Sequence, residues 1–352
     1  MPPRRITVHR RTCKRYPVIN FALPDLLIRE AGRAFLIFLG KKVFSYIVFG
    51  EGISGMKNKK SFDLNKAITI FLFLLPALLL FVSILIAPIA VSLYRSMYDW
   101  NGFSEGTFIG LANYKELFTN GSIKFMTSHK NSMLLAFFSV FVQLPFSLLL
   151  ALLLGRRPKL DRTFLAIFFM PVLISTVVIG QLWLKIYNPD YGLLNRFLDA
   201  VHLESWKHVW VGDVKTALGS IIVPTVWQYI GYHMLLMYAG VKGVSIDLRE
   251  AAMLDGATKW QVDRYIVIPI IKPIIRVSVI FAVTGSLKAY DLVRILTEGG
   301  PFQSTEVPST LLENMLFLRN RYGMGSTISV MLIFLCFAFA LLITAAFRDK
   351  DE

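Results

Sequence analysis

The stretch EAAMLDGATKWQVDRYIVIP, Glu250 to Pro269, decides how this chain reads. It is polar and helix-prone, and it separates two long apolar runs. Asp247 is placed to cap a first short helix, and Gly256 is the flexible residue on which that helix can stop. Thr258 then opens a second helix, with Gln261 three residues on as its capping-box partner. Pro269 stands at the edge of the next apolar run, where a helix start or a kink tolerates it. Two short helices joined by a glycine elbow predict a rigid knob between membrane spans, a shape that another protein can push on.

The surrounding composition sets that knob in a bilayer. Of the 352 residues, 55% are hydrophobic and 17% charged, and the mean hydropathy is +0.56, too apolar for a soluble protein. Several apolar runs exceed the length needed to cross a membrane, which predicts an all-α polytopic membrane protein. The formal charge of +15 does not point to nucleic acid, because the basic residues crowd the N-terminus and two connecting loops. That is the distribution expected of cytoplasmic segments that fix orientation, and no basic-aromatic stripe for stacking bases is present. The two cysteines, Cys13 and Cys336, lie far apart, so neither a disulfide framework nor a zinc site is supported.

The knob also carries a family resemblance. Glu250-Ala251-Ala252, then Gly256, then Ile266, Ile268 and Pro269 resemble the EAA motif of the membrane permeases of bacterial ABC importers: E-A-A, three residues, G, nine residues, I-x-L-P. Only the Leu differs, being Ile268 here. Three further phrases are similar to the sugar-type permeases of that family: GLANYKELF at 110–118, FFMPVLISTVVIGQLWLKIYNPDYGLLN at 168–195 and LTEGGP at 296–301. The resemblance covers about residues 66 to 347.

Six spans are predicted, at about 67–93, 132–154, 163–187, 217–241, 270–292 and 324–347. Four basic residues in the short loop GRRPKLDR at 155–162 mark that loop as cytoplasmic, and Arg249, Lys259, Arg264 and Lys272 do the same for the loop at 243–269. Both termini, including the tail at 348–352, then lie inside. Residues 56–66 form a cytoplasmic start, and residues 1–55 look foreign to the rest of the chain. Their apolar stretch AFLIFLG is too short to span and reads either as an interfacial anchor or as part of an over-extended reading frame. The second reading, with translation starting at Met56, is preferred; peptides from residues 1–55 in mass spectrometry would sink it. The outer loop with His202, Trp206, His208 and Trp210 suits a membrane interface better than a metal site.

The resemblance implies the permease fold of a type I ABC importer in a bacterial plasma (inner) membrane. It further implies a second permease subunit, giving a heterodimer, an ABC ATPase dimer and an extracytoplasmic solute-binding protein. ATP and magnesium would sit on the ATPase and no cofactor on this chain, in keeping with the lack of a G-x-x-x-x-G-K-[ST] loop and of any catalytic constellation. By the same resemblance the coupling helix docks on the ATPase through Glu250, Ala251, Ala252, Asp255, Gly256, Ala257, Ile266 and Pro269. Candidates for the cargo path are polar or aromatic residues in spans four and five: Gln228, Tyr229, Tyr232, Ser286, Tyr290 and Asp291. Each could equally be helix–helix glue. A sugar or oligosaccharide is the expected cargo. The same machine with glycerol phosphate, a polyamine or an anion stays open, as does, further off, a secondary transporter.

Overall fold

The structure, a computed structural model, describes residues 64–103, 105–156 and 161–347. The expected N-terminal segments 1–55 and 56–63 and the tail 348–352 lie outside the described residues. Residues 1–74 and 75–352 form two separate units, and of the first only the opening turns of α1 (Leu64–Phe81) are described.

The second unit is built from helices, with one exception. A ribbon of two residues a strand, β1 (Tyr98–Asp99) and β2 (Thr107–Phe108), pairs antiparallel with Tyr98 opposite Phe108. The helices are α2 (Ala87–Arg95), α3 (Ala112–Thr119), α4 (Phe125–Phe138), α5 (Leu144–Gly155), α6 (Asp161–Leu173), α7 (Thr176–Ile186) and α8 (Leu193–Ala200). After them come α9 (Ala217–Gly243), α10 (Ile246–Leu254), α11 (Lys259–Val262), α12 (Ile268–Ile270), α13 (Lys272–Leu287), α14 (Asp291–Leu296), α15 (Pro308–Glu313) and α16 (Tyr322–Ala346). Helix α9 runs through the middle of the bundle against α5 and α6, while α13 packs on α4 and α16, and α14 packs on α7.

Several rods contain a widened turn where proline dictates one. The π-turns Val82–Ile86, Ser139–Gln143 and Asp263–Val267 are each followed, two residues on, by Pro88, Pro145 and Pro269. A proline ring clashes with the carbonyl four residues back, which in each case belongs to the central residue of the turn. Opening the turn relieves that clash without ending the helix.

Among the described residues, three rods are long and apolar enough to cross a membrane: Thr69–Arg95, Phe125–Gly155 and Tyr322–Ala346. Two bent pairs raise the number to five if each is one span: Thr163–Leu173 with Thr176–Ile186, bent by 93°, and Lys259–Ile270 with Lys272–Leu296, bent by 70°. The third predicted span is therefore not one straight helix. Ser175, extended at ψ 133°, interrupts it just after Pro171. The fourth predicted span is a single helix of 27 residues, α9, with Gln228 and His233 buried in its middle.

Candidate functional site

The knob seen in the sequence is an elbow of two helices. Ser245, not the expected Asp247, is the N-cap of α10: its side chain accepts from the Asp247 N–H at 3.2 Å. Asp247 instead sits inside the first turn, because the chain is still extended at Ser245 (ψ 135°) and becomes helical only after it. At the other end Gly256 takes φ +89°. The Gly256 N–H reaches the Met253 carbonyl at 3.1 Å and the Ala257 N–H reaches Ala252 at 2.9 Å, the hydrogen-bond pair of a Schellman motif. Thr258 and Gln261 then form the expected capping box, with the Thr258 N–H donating to Gln261 Oε1 at 2.7 Å.

This local chemistry sorts the elbow residues onto two faces. Ala252, Ala257 and Ile266 are half-buried against a core of Leu144, Met234, Met237, Val241, Val267 and Ile271. Glu250, Ala251, Asp255, Gly256 and Pro269 are exposed, and beside them Leu254 is 89% exposed. Two guanidinium groups tie the elbow to the bundle. Arg156, at the end of α5, pairs with the buried Asp263 and donates to the Lys259 carbonyl at 3.2 Å, and Arg249 donates to the Val241 carbonyl.

Further along the bundle lies a cavity of about 380 Å³. From α9 it is lined by Thr225, Tyr229, Tyr232 and His233, one helical face at spacings of four, three and one. Helix α13 contributes Thr284 and Ser286, the break between α13 and α14 contributes Lys288 and Tyr290, and Asp291 opens α14. Non-helical backbone inside a membrane bundle is tolerated where it lines such a space. Ser139 and Gln143, from the π-turn between α4 and α5, and Thr176, at the start of α7, complete the polar lining.

Five of the six sequence candidates thus stand round one cavity: Tyr229, Tyr232, Ser286, Tyr290 and Asp291. Gln228 does not line it. It is 2% exposed, and its amide donates to the Thr176 hydroxyl at 3.3 Å, so it braces α9 against α7. Ser286 does both jobs: its hydroxyl donates to the Ala282 carbonyl at 2.8 Å and stands 3.1 Å from Ser139 Oγ while bordering the space. Sequence reasoning missed Gln143; it set His233 against other helices or a wet cavity and Lys288 near the outer end of span five, without assigning either to the cargo path. Polar residues inside apolar runs were their signal, and it was strongest for Gln143 in the run 132–154.

The family phrases serve mainly as ties at the opposite end of the bundle from the elbow. Asn113 of GLANYKELF is buried and donates to the Ser96 and Tyr98 carbonyls, both at 2.9 Å. Glu116 of the same phrase holds Arg321 by two bonds of 2.8 and 2.6 Å. Asn195 of NPDYGLLN accepts from the Trp210 indole at 2.8 Å. Thr297 of LTEGGP joins hydroxyls with Thr305, beyond the phrase, at 2.7 Å, and Gly299 between them has φ +83°.

Comparison with known proteins agrees with this architecture. Residues 143–350 match the family described as binding-protein-dependent transport system inner membrane component. The "Probable ABC transporter permease protein YurN" of Bacillus subtilis (strain 168) is 38% identical over 293 residues, covering 82% of this chain and 98% of that protein. The "Trehalose/maltose transport system permease protein MalF" of Thermococcus litoralis is 30% identical over 283 residues, covering 80% of this chain and 94% of its own length. The fold is shared with a chain in the crystal structure of a bacterial ABC transporter involved in the import of the acidic polysaccharide alginate. The TM-score is 0.71 at 21% identity, over 82% of this chain and 98% of that one. With more than half of its length matched by the family and a relative of 38% identity covered almost end to end, this chain belongs to the inner membrane components of binding-protein-dependent transport systems.

Proposed function

We propose that this chain forms, with a second permease subunit, the translocation path of an ATP-driven importer for a sugar or oligosaccharide. The cavity carries the proposal: three tyrosines, Tyr229, Tyr232 and Tyr290, stand with serine and threonine hydroxyls around about 380 Å³ inside the bundle. Small-molecule sites fall in the range of about 300–1,000 Å³ and combine apolar or aromatic walls with a few placed polar groups. The printed name of the Thermococcus relative, a trehalose/maltose system, supports the same class of cargo. Uptake of a labelled mono- and oligosaccharide panel, with and without this gene in the source strain, tests it. Loss of one sugar on deletion names the cargo. No loss across the panel removes sugars from the reading.

The elbow is where force would enter. A separate ATPase dimer, holding ATP and magnesium, docks on α10, and an extracytoplasmic binding protein delivers the cargo. This chain takes no catalytic part. Exposed Leu254 beside Glu250 gives the docking face an apolar contact and a charge, and small Ala251 lets the helix approach closely. The arrangement needs six spans with both termini on the elbow side. In support, α9 is long enough to be the sixth rod, and its buried Gln228 and His233 account for its lower apolarity. Glu250→Lys and Gly256→Asp are expected to abolish uptake while the protein stays in the membrane. Normal uptake in either variant at normal expression overturns the coupling role.

A further inference from the structure

Once the helix packing is accounted for, two buried polar side chains at the cavity are left incomplete. Gln143 is 2% exposed and its Oε1 has no hydrogen-bond partner among the described residues. His233 is 3% exposed and its Nδ1 likewise has none. They come from different rods, the π-turn between α4 and α5 and the middle of α9, yet both line the same cavity. Three of the hydroxyls that line the space are already engaged as donors. Thr225 donates to the Ile221 carbonyl at 2.7 Å, Thr284 to Ile280 at 2.7 Å and Ser286 to Ala282 at 2.8 Å. A buried polar atom without a partner is rare in folded proteins and calls for one from outside the chain.

The chemistry of the two atoms restricts what that partner is. An amide oxygen only accepts, so Gln143 needs a hydroxyl or N–H donor, whereas an imidazole Nδ1 can give or take a proton. The Tyr232 ring packs edge-on to the imidazole, with centroids 5.1 Å apart and planes at 87°, which fixes its orientation. The charged lining groups, Lys288 and Asp291, are exposed, whereas Gln143 and His233 are buried and the Gln143 amide carries no charge. We infer that Gln143 and His233 form the floor of the cargo site and hold an uncharged hydroxyl-bearing face of the cargo, with Gln143 Oε1 accepting from a cargo O–H. This rests on the sugar reading above and extends it to two residues not assigned there.

The test pairs variants with cargo analogues. Competition against labelled maltose or trehalose by their singly deoxygenated analogues is measured in cells carrying the whole transporter with wild-type chain, Gln143→Leu or His233→Leu. Recognition by the binding protein is common to all three and cancels in the ratio. At one deoxy position, wild type is expected to discriminate about tenfold more than Gln143→Leu, the factor that corresponds to about 1.4 kcal/mol. Equal discrimination by all three chains overturns the floor assignment, and so does water alone completing both groups in the cargo-bound transporter. Where the uptake panel names another sugar, its own deoxy analogues replace these; if no sugar of the panel depends on this chain, the sugar reading fails and the floor fails with it. Should a variant not reach the membrane, cryo-EM of the wild-type transporter with maltose decides. A sugar oxygen within about 2.7–3.2 Å of Gln143 Oε1 supports the assignment, and a sugar held only by residues of the rim ends it.

Discussion

Within this chain, Gly256 is required by backbone conformation and not by packing. Its φ is +89°, while a Cβ placed there would meet no atom within 4 Å. Alanine at 256 therefore costs about 1 kcal/mol of strain, and asparagine less, because its short polar side chain tolerates the left-handed region. Gly256→Asn is expected to keep most of the uptake that Gly256→Asp removes, since only the aspartate adds charge beside Asp255. Equal loss in both would make shape, not charge, the requirement. Glu116 allows a second test on a single residue. Hydrogen bonds from Arg321 hold its carboxyl below the usual value of 4.5. A carboxylate lowered on folding stabilises the protein above its unfolded pKa, and the benefit is lost as pH falls through the lowered folded value. With both partners about a third exposed, the effect is small, under about 1 kcal/mol. Thermal melts of wild type and Glu116→Gln should differ at pH 7 and converge below the carboxylate range. A constant gap down to that range would mean the ion pair contributes nothing through its charge.

Among elements, α9 and α6 are in tight backbone contact. A Cβ on Gly231 would overlap the backbone carbonyl of Phe168, so Gly231→Ala must push the two helices apart. Overpacking of this kind costs about 1–3 kcal/mol and is expected to lower the melting temperature of the detergent-solubilised protein. The Arg156–Asp263 pair is the tie between α5 and the elbow, and Asp263 is 4% exposed. Loss of Arg156 leaves the buried Asp263 carboxylate unpaired, and reversing either charge sets like charges together, so Arg156→Asp and Asp263→Arg are each expected to reduce uptake. The double exchange should recover part of it, and a double variant no better than the singles would deny the tie a role in coupling. The π-turns show how one residue type shapes a rod. Pro145 widens the turn that carries Ser139 and Gln143 to the cavity, a placement that an unbroken α-helix would rotate away.

Along the bundle, the long rods turn several large apolar side chains outward: Phe141 is 64% exposed, Phe334 64% and Leu341 69%. Lipid and a second permease are the surroundings that surface suits. The proposed orientation separates the elbow from the loop at 297–306 by the full membrane. In a background of Cys13→Ser and Cys336→Ser, Leu254→Cys and Phe302→Cys mark two positions that are 89% and 91% exposed. An impermeant thiol reagent added outside is expected to label position 302 in intact cells, and position 254 only after the membrane is opened. Labelling of both from outside would invert or break the six-span reading.

The apolar rods, the polar elbow between two of them, its glycine stop and its Thr258–Gln261 cap are all legible in the residue order alone. They depend on side chains within a few residues of one another and on apolar length, which one chain segment carries unaided. Even there the cap at Ser245 was missed by two residues, because only the backbone shows where extension gives way to helix. Packing in three dimensions settled the rest. It turned Gln228 to Thr176 and away from the cavity, bent the third rod by 93°, and brought Gln143 and His233, 90 positions apart, to one space. Periodicity says which residues share a helix face, but not which face meets a neighbour. That depends on where partners such as α4, α7 and α13 come to rest, and on which polar atoms their packing leaves without a bond.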